Sequence, residues 1–304
     1  TNTTPALDAY GVVVRPILED PLPVDVQATV GLTDTELRAA TVPTTLTDSV
    51  GAAIGTMLIH GQLAIMATDR PHNDDVFFGF GEQAISGAVN NADIWGGVAV
   101  TQPEPNTVGY ALFIKSSSAS DTSAGIGAQT TMIHYLDTAG VPQTVTATLN
   151  GVTEVNTGVT DCMFVQDSHH MTVGTNLVGV GNVDCLAGTG GAIVQRIEAS
   201  GNQSMSTMRQ VPAGFNLVVT GWRAFSTSAT TKLADIRLRS TGHDGVNNPG
   251  VYHFRDSVRL KDGNTGDLGI QFSVPPLGTV KISAWTTGTM GLTGRWHGYL
   301  EPVV

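Results

Sequence analysis

Read for its hydrophobic and polar positions, the chain is dominated by alternation with a period of two, the mark of a strand with one buried face. The clearest case is 233–239, where Ala234, Ile236 and Leu238 alternate with Asp235, Arg237 and Arg239, as in an antiparallel strand with one wet face. Further strands are predicted at 215–225, 251–260, 268–274, 280–286 and 295–300, separated by turn signals at the spacing of a sandwich or barrel. Upstream, 110–114 reads as a compact apolar strand. Residues 130–136 and 144–149 read as a hairpin around the turn 137–142, and Asn150-Gly151 as a two-residue turn. Segments 159–166 and 170–173 continue the alternation. The fold class predicted is all-β: an extended N-terminal arm followed by two β-sandwich, jelly-roll-like domains.

The first 49 residues break this pattern. Pro5, Pro16, Pro21, Pro23 and Pro43 interrupt any helix and remove ladder donors. One helical turn is predicted at 33–38, where Thr33 precedes Glu36 in the manner of a capping box. The arm keeps too many aliphatic residues for a solvated tail, so it is expected to be ordered by packing on a neighbouring subunit. Val12, Val13, Val14, Leu32, Leu37 and Arg38 are the residues expected to dock. The apolar stretch 50–67 contains His60, Gln62 and several glycines, and reads as two strands turning at 60–62 rather than a membrane span.

Charge adds a boundary. The 15 Lys/Arg and 26 Asp/Glu divide as 4 against 19 over residues 1–195 and 11 against 7 over 196–304. Such a shift suggests two modules meeting near Gly188-Thr189-Gly190-Gly191. The expected layout is an arm at 1–49, an acidic sandwich at 50–191 and a mildly basic one at 192–304.

Composition then removes function classes. Hydrophobic residues make up 41% and charged residues only 13%, so a core is available while the low charge density argues against disorder. The surface is Gly-, Thr-, Ser- and Asn-rich instead, and no stretch has the Ala/Leu/Glu/Lys content of a helical bundle. A net charge of −11 argues against a protein that coats nucleic-acid phosphates. The segment 1–8 is polar and lacks the basic start of a secretory leader. Cys162 and Cys185 are too few for a disulfide scaffold; they could pair, but buried free thiols are the favoured reading.

No spacing of a known chemistry is present: no G-x-S-x-G, no phosphate-binding G-x-x-x-x-G-K, no H-E-x-x-H and no C-x-x-C. Gly79-Phe80-Gly81 and Gly125-Ile126-Gly127 lack the third glycine of a dinucleotide fingerprint and read as turn glycines. In Ser168-His169-His170, adjacent strand residues face opposite ways, so the histidines read as lone surface residues. Residues 262–267 read as a Gly/Asn-rich strand turn rather than a calcium loop, and His72-Asn73-Asp74-Asp75 as a solvated loop. No catalytic residue, metal or cofactor is expected, and the chain is not expected to be an enzyme. Trp222, Trp285, Trp296 and Tyr299 sit on strand positions flanked by apolar residues, which favours core or subunit interface over a sugar platform. Trp285, Trp296 and Tyr299 are kept as candidate interface or glycan contacts. Arg237, Arg239, Arg255, Arg259 and Lys261 are too mixed with acids for a nucleic-acid stripe and suit an acidic neighbour, another copy included.

Three patches carry a resemblance. The phrase Gly31-Leu32-Thr33-Asp34-Thr35-Glu36-Leu37-Arg38-Ala39-Ala40-Thr41-Val42-Pro43 is similar to segments in structural proteins of tailed bacteriophages, with Thr41 where Pro is usual. Residues 117–125, running on to Thr146-Ala147-Thr148-Leu149-Asn150-Gly151, resemble a module of marine phage virion proteins. So does Arg209-Gln210-Val211-Pro212-Ala213-Gly214 before an aromatic-ended strand. The resemblance implies a virion component on the particle surface, made in the host cytoplasm: a capsid decoration protein, head fibre, or neck or tail appendage. Its implied partners are the major capsid protein or neck and tail proteins, and further copies of itself, a trimer being favoured. A fibre or spike binding host surface glycan is the alternative; no direct nucleic-acid or membrane partner is implied.

Overall fold

The computed structural model describes residues 6–7, 13–14, 45–47, 53–56, 77–97, 101–226, 232–242, 245–261 and 265–303. Every regular element among them is a strand, as the alternation requires. The chain divides into two units, Thr1–Asp69 and Arg70–Val304. In the first, β1 (Ala6–Leu7) pairs antiparallel with β2 (Val13–Val14), and β3 (Thr45–Thr47) with β4 (Ala53–Thr56). Of the expected docking residues, Val13 and Val14 are therefore strand residues, whereas Val12, Leu32, Leu37, Arg38 and the turn at 33–38 lie outside the described residues. The strand at 53–56 pairs with 45–47, and the expected turn at 60–62 lies outside the described residues.

The second unit begins with β5 (Phe77–Ile85) and β6 (Ala88–Asp93). Seven strands follow: β7 (Leu112–Ser116), β8 (Ala128–Asp137), β9 (Pro142–Thr148), β10 (Val155–Asn156), β11 (Cys162–Val173), β12 (Val183–Ala187) and β13 (Ala192–Ile197). The chain closes with β14 (Arg209–Gln210), β15 (Phe215–Ser226), β16 (Leu233–Ser240), β17 (His253–Lys261), β18 (Thr265–Leu268), β19 (Phe272–Val274), β20 (Thr279–Thr287) and β21 (Met290–Pro302).

Strand order identifies the architecture. One sheet runs β5-β21-β15, with β18 and β19 end to end along the far edge of β15. The other runs β6-β20-β16-β17, with β14 beside β6 on the same edge of β20. All pairs are antiparallel. Counting β18 and β19 as one broken strand, the order is first-eighth-third-sixth facing second-seventh-fourth-fifth, the connectivity of an eight-stranded jelly roll. Its core holds Trp222 and Trp296 with Ile94, Leu217, Ile236, Leu238, Ile282 and Leu292.

Strands β7–β13 are a second sandwich set into the first. The sheet β10-β7-β12-β13 faces the sheet β11-β8-β9 across a separate core that includes Leu112, Ile114, Ile133, Val165, Val183 and Ile197. The hairpin expected at 130–149 is β8–β9, turned by Asp137, whose Oδ1 accepts the N–H groups of Ala139 and Val141. The loops are pinned by Asp121, a fully buried carboxylate. It accepts bonds from Ser116 Oγ (2.5 Å) and from the backbone N–H groups of Ala128 (2.8 Å), Val180 (2.9 Å) and Gly181 (2.8 Å). Burial alone would raise its pKa, but the Ser116 hydroxyl and these three amides hold it below the usual carboxylate value.

This arrangement corrects the expected boundary between residues 191 and 192. The Gly188–Gly191 segment is the turn between β12 and β13, with Gly188 and Gly190 at positive φ, inside one sheet of the inserted sandwich. Residues 77–94, expected in the acidic sandwich, lie in the jelly roll instead: β5 pairs with β21 and β6 with β20. The chain crosses between the cores at a two-stranded stem, where Gly96 N–H donates to Met205 O (2.8 Å) and Thr207 N–H to Ile94 O (3.1 Å). Gly79 and Gly81 are likewise not turn glycines. They face inward on β5, and a Cβ at Gly81 would stand 2.2 Å from Ile94 O. The residue type is set by the close approach of the stem.

Candidate functional site

On the jelly roll, the sheet β6-β20-β16-β17 turns its apolar residues inward, so the alternate positions gather on the outer face. These are Asp93 on β6, Lys281, Ser283 and Trp285 on β20, and Asp235, Arg237 and Arg239 on β16. Tyr252, just before β17, and Glu104, on the segment leading into the inserted sandwich, close one side. The result is an open cleft of about 410 Å³ lined by Asn91, Gln102, Glu104, Arg239, Tyr252 and Lys281.

The cleft is built from cations against rings. Arg237 stacks 3.9 Å from the centre of the half-buried Trp285 and is itself held by Asp235 at 2.8 Å. Arg239 lies between Trp285 (5.5 Å) and Tyr252 (5.1 Å) and donates to Ser283 Oγ (3.1 Å). Burial lowers the Arg239 pKa from its usual value, opposed by Asp93, Tyr252 and Glu104. Burial and the Glu104 carboxylate, which accepts the Tyr252 hydroxyl at 2.5 Å, push the phenol far up, so Tyr252 stays a neutral donor. Two buried polar atoms at the wall, Arg239 Nε and Asn91 Oδ1, have no protein partner. A ligand carrying both donors and acceptors, with a ring or an anionic group to meet the Arg–aromatic stack, matches this chemistry.

The three aromatic candidates part company here. Trp285 lies on the same outer face beside the cleft, against Arg237 and Arg239; Trp296 is fully buried, its indole N–H donating to Thr207 O at 2.7 Å, and no glycan reaches it in this fold. Tyr299 is half-buried on β21, in the other sheet. Trp222 is also core, its N–H donating to Asp256 at 3.0 Å. Sequence reasoning missed Tyr252, Lys281, Asp93 and Glu104, which come from four separate segments. Lys281 alternates with Val280 and Ile282 as an outer-face residue does, so nothing in 280–286 marks it as buried.

In the inserted sandwich, His169 is not alone. It stacks on His134 across the β8–β11 pair, ring centres 5.3 Å apart. His170 is half-buried rather than a surface residue; its Nδ1 meets Thr131 Oγ1 at 3.0 Å and burial pushes its pKa down to about 4. Cys162 and Cys185 are both free and buried, and burial pushes Cys162 up to about 12, out of the reactive thiolate range. Beside β5, Phe78, Phe80 and Arg209 line a groove of about 480 Å³ with the loop 198–205.

No protein-family model matches the chain, and no curated protein does. Solved structures similar to it include infectious bursal disease virus Gt strain, at 12% identity over 74% of this chain and 72% of the other, TM-score 0.22. Another is the naturally occurring empty top component of cowpea mosaic virus, at 5% identity over 64% and 87%, TM-score 0.20. A third is the N-terminal CBM22-1-CBM22-2 tandem domain from Paenibacillus barcinonensis Xyn10C, at 10% identity over 73% and 94%, TM-score 0.21. Likenesses at these scores carry no functional argument.

Proposed function

We propose that this chain is a non-enzymatic structural component of a virion, a decoration or head-fibre protein on the particle exterior that docks through residues 1–49. The observation that carries the reading is the jelly-roll strand order with a second sandwich spliced into it. Closed double-sheet jelly rolls are a recurrent capsid architecture, although lectin domains and cupins share it. The low charge and the resemblance of 31–43, 117–151 and 209–214 to phage virion segments point the same way. Its partners are other virion proteins and further copies, with a trimer as the expected assembly.

The test is gold labelling of intact virions with serum raised against the chain, paired with co-sedimentation of the full chain and of a 1–49 deletion on bare particles. Label over the head, and sedimentation lost on deletion, are expected. Absence of label on every particle refutes the virion reading, and undiminished binding by the deletion refutes the arm as the docking device.

A second reading, a neck or tail fibre that binds host surface glycan, is favoured by the Arg239–Tyr252 cleft with the Trp285 ring beside it. Sugars present donors, acceptors and an apolar ring face together, which suits that wall. Trp285→Ala should then weaken adsorption several-fold with little loss of stability. Unchanged adsorption excludes the cleft.

A further inference from the structure

The closed end of the cleft holds a second arrangement, independent of virion or glycan. Lys281 has 4% of its side chain exposed and Asp93 has 1%. The Lys281 Nζ stands 3.1 Å from Asp93 Oδ2 and 2.8 Å from Glu104 Oε1, with the Tyr252 ring 4.1 Å away. Asp93 is already polarised: Ser283 Oγ donates to its Oδ1 (2.8 Å) and the Gln102 N–H to its Oδ2 (3.0 Å). An amine and a carboxyl group are thus held together out of water, with a second carboxylate, 41% exposed, reaching the same nitrogen from the solvent side. Burying such an ion pair is costly, and a neutral amide in its place would remove both charges.

We infer that Lys281 and Asp93 condense after folding into an isopeptide bond, with Glu104 carrying the protons. One ammonium proton passes by way of Glu104 to the Asp93 carboxylate, giving a neutral amine beside a neutral acid. The nitrogen lone pair then attacks Asp93 Cγ and the C–N bond forms. The tetrahedral oxyanion on Oδ1 is held by the Ser283 hydroxyl, while the Gln102 N–H stays on Oδ2, the oxygen that is protonated and leaves. Glu104 takes the second ammonium proton and delivers it to the departing hydroxyl; the C–O bond breaks and water leaves. One ammonium and one carboxylate become one amide and one water, with no redox change and no co-reactant. Fixed proximity in the folded sheet supplies what a bimolecular condensation lacks. The bond would join β6 to β20 at the point where the chain leaves for the inserted sandwich.

The experiment is the intact mass of the denatured full-length chain, followed by peptide mapping. The expected result is a mass one water below that of the sequence, with one branched peptide containing residues 93 and 281. Lys281→Arg should restore the full mass. Glu104→Gln should leave most of the chain uncrosslinked while tryptophan fluorescence reports a folded jelly roll. A wild-type mass equal to the sequence mass overturns the inference. So does a water loss that persists in Lys281→Arg, which would assign it to an Asp-Gly succinimide elsewhere. Complete crosslinking in Glu104→Gln would remove Glu104 from the chemistry.

Discussion

Replacing Asp121 tests whether the inserted sandwich is a separate cooperative body held by one buried carboxylate. In Asp121→Ala, the amides of Ala128, Val180 and Gly181 and the Ser116 hydroxyl lose their acceptor at once. Each buried donor left unmatched costs about 1–3 kcal/mol, and water entering the vacated space recovers part, so a loss of about 3–6 kcal/mol is expected. That is a large share of the ~5–15 kcal/mol that holds a domain together. Asp121→Asn should cost less. Its oxygen can keep Ala128 and Val180, the Ser116 hydroxyl can turn to accept, and only the Gly181 N–H meets another donor, a loss of about 1–3 kcal/mol.

The assay is urea unfolding of the full chain followed by two probes. Trp222, Trp285 and Trp296 lie on jelly-roll strands and Trp95 in the stem, none within β7–β13, so with Trp95 replaced by Phe in every variant the fluorescence follows the jelly roll while far-UV circular dichroism follows both bodies. In Asp121→Ala, part of the dichroism should be lost at lower urea with the fluorescence midpoint unmoved. A loss below ~0.5 kcal/mol would refute the role of the carboxylate. A common shift of both probes would refute the independence of the two cores. The pH dependence has a definite sign. The folded pKa lies below the unfolded one, so Asp121 contributes fully above about pH 4 and its contribution is lost as pH falls through the folded value.

Three further substitutions or conditions probe the rest. Trp296→Ala should cost about 3–5 kcal/mol in chemical denaturation, because it empties the jelly-roll core and orphans Thr207 O; a cost under about 1 kcal/mol would place the ring at the surface. Gly81→Ala should lower the melting temperature, since Ile94 O cannot retreat without moving the stem; the overpacking cost is about 1–3 kcal/mol, and a neutral effect would contradict the β5 placement. His170 is kept neutral in the fold at about 4, against ~6.5 when unfolded, so stability should fall as pH drops from about 6.5 towards 4. Its ring is only partly buried, which discounts the full linkage to about 1–2 kcal/mol; His170→Gln should flatten the urea-midpoint profile over that range, and an unchanged slope would assign it elsewhere.

Local structure was legible where one strand carries its own evidence. The strand β16 shows the expected alternation, Ala234, Ile236 and Leu238 in, Asp235, Arg237 and Arg239 out. The hairpin β8–β9 was legible for the same reason, both partners and the turn being adjacent. What stayed hidden was pairing over long sequence separation. Nothing in 77–93 says that it belongs beside 279–302, because an edge strand shows only its own alternation and not the register of its partner. The glycine run at 188–191 misled for a related reason: a hairpin turn and a linker need the same backbone freedom. The cleft was half legible. Trp285 was singled out, but its neighbours converge only once four segments are folded together.

The register across β20 shows what the splice means for the chain as a piece of engineering. Asp93 lies opposite Ser283 and Arg209 opposite Val280, and Ile94 N–H donates to Ile282 O. β6 and β14 are therefore two halves of a single lane, parted by an excursion of more than a hundred residues that returns to the place it left. Joining Ile94 directly to Met208 would set 93, 94, 208 and 209 against 283, 282, 281 and 280 without a slip. The second sandwich is in this sense a cartridge in a socket. Its outer surface can be altered while the strand register of the jelly roll keeps its place; an exchange for another fold must also replace the bonds it lends, Gln166 to Gln210, Gly140 O to Ala213 N–H and Thr207 O to the Trp296 indole.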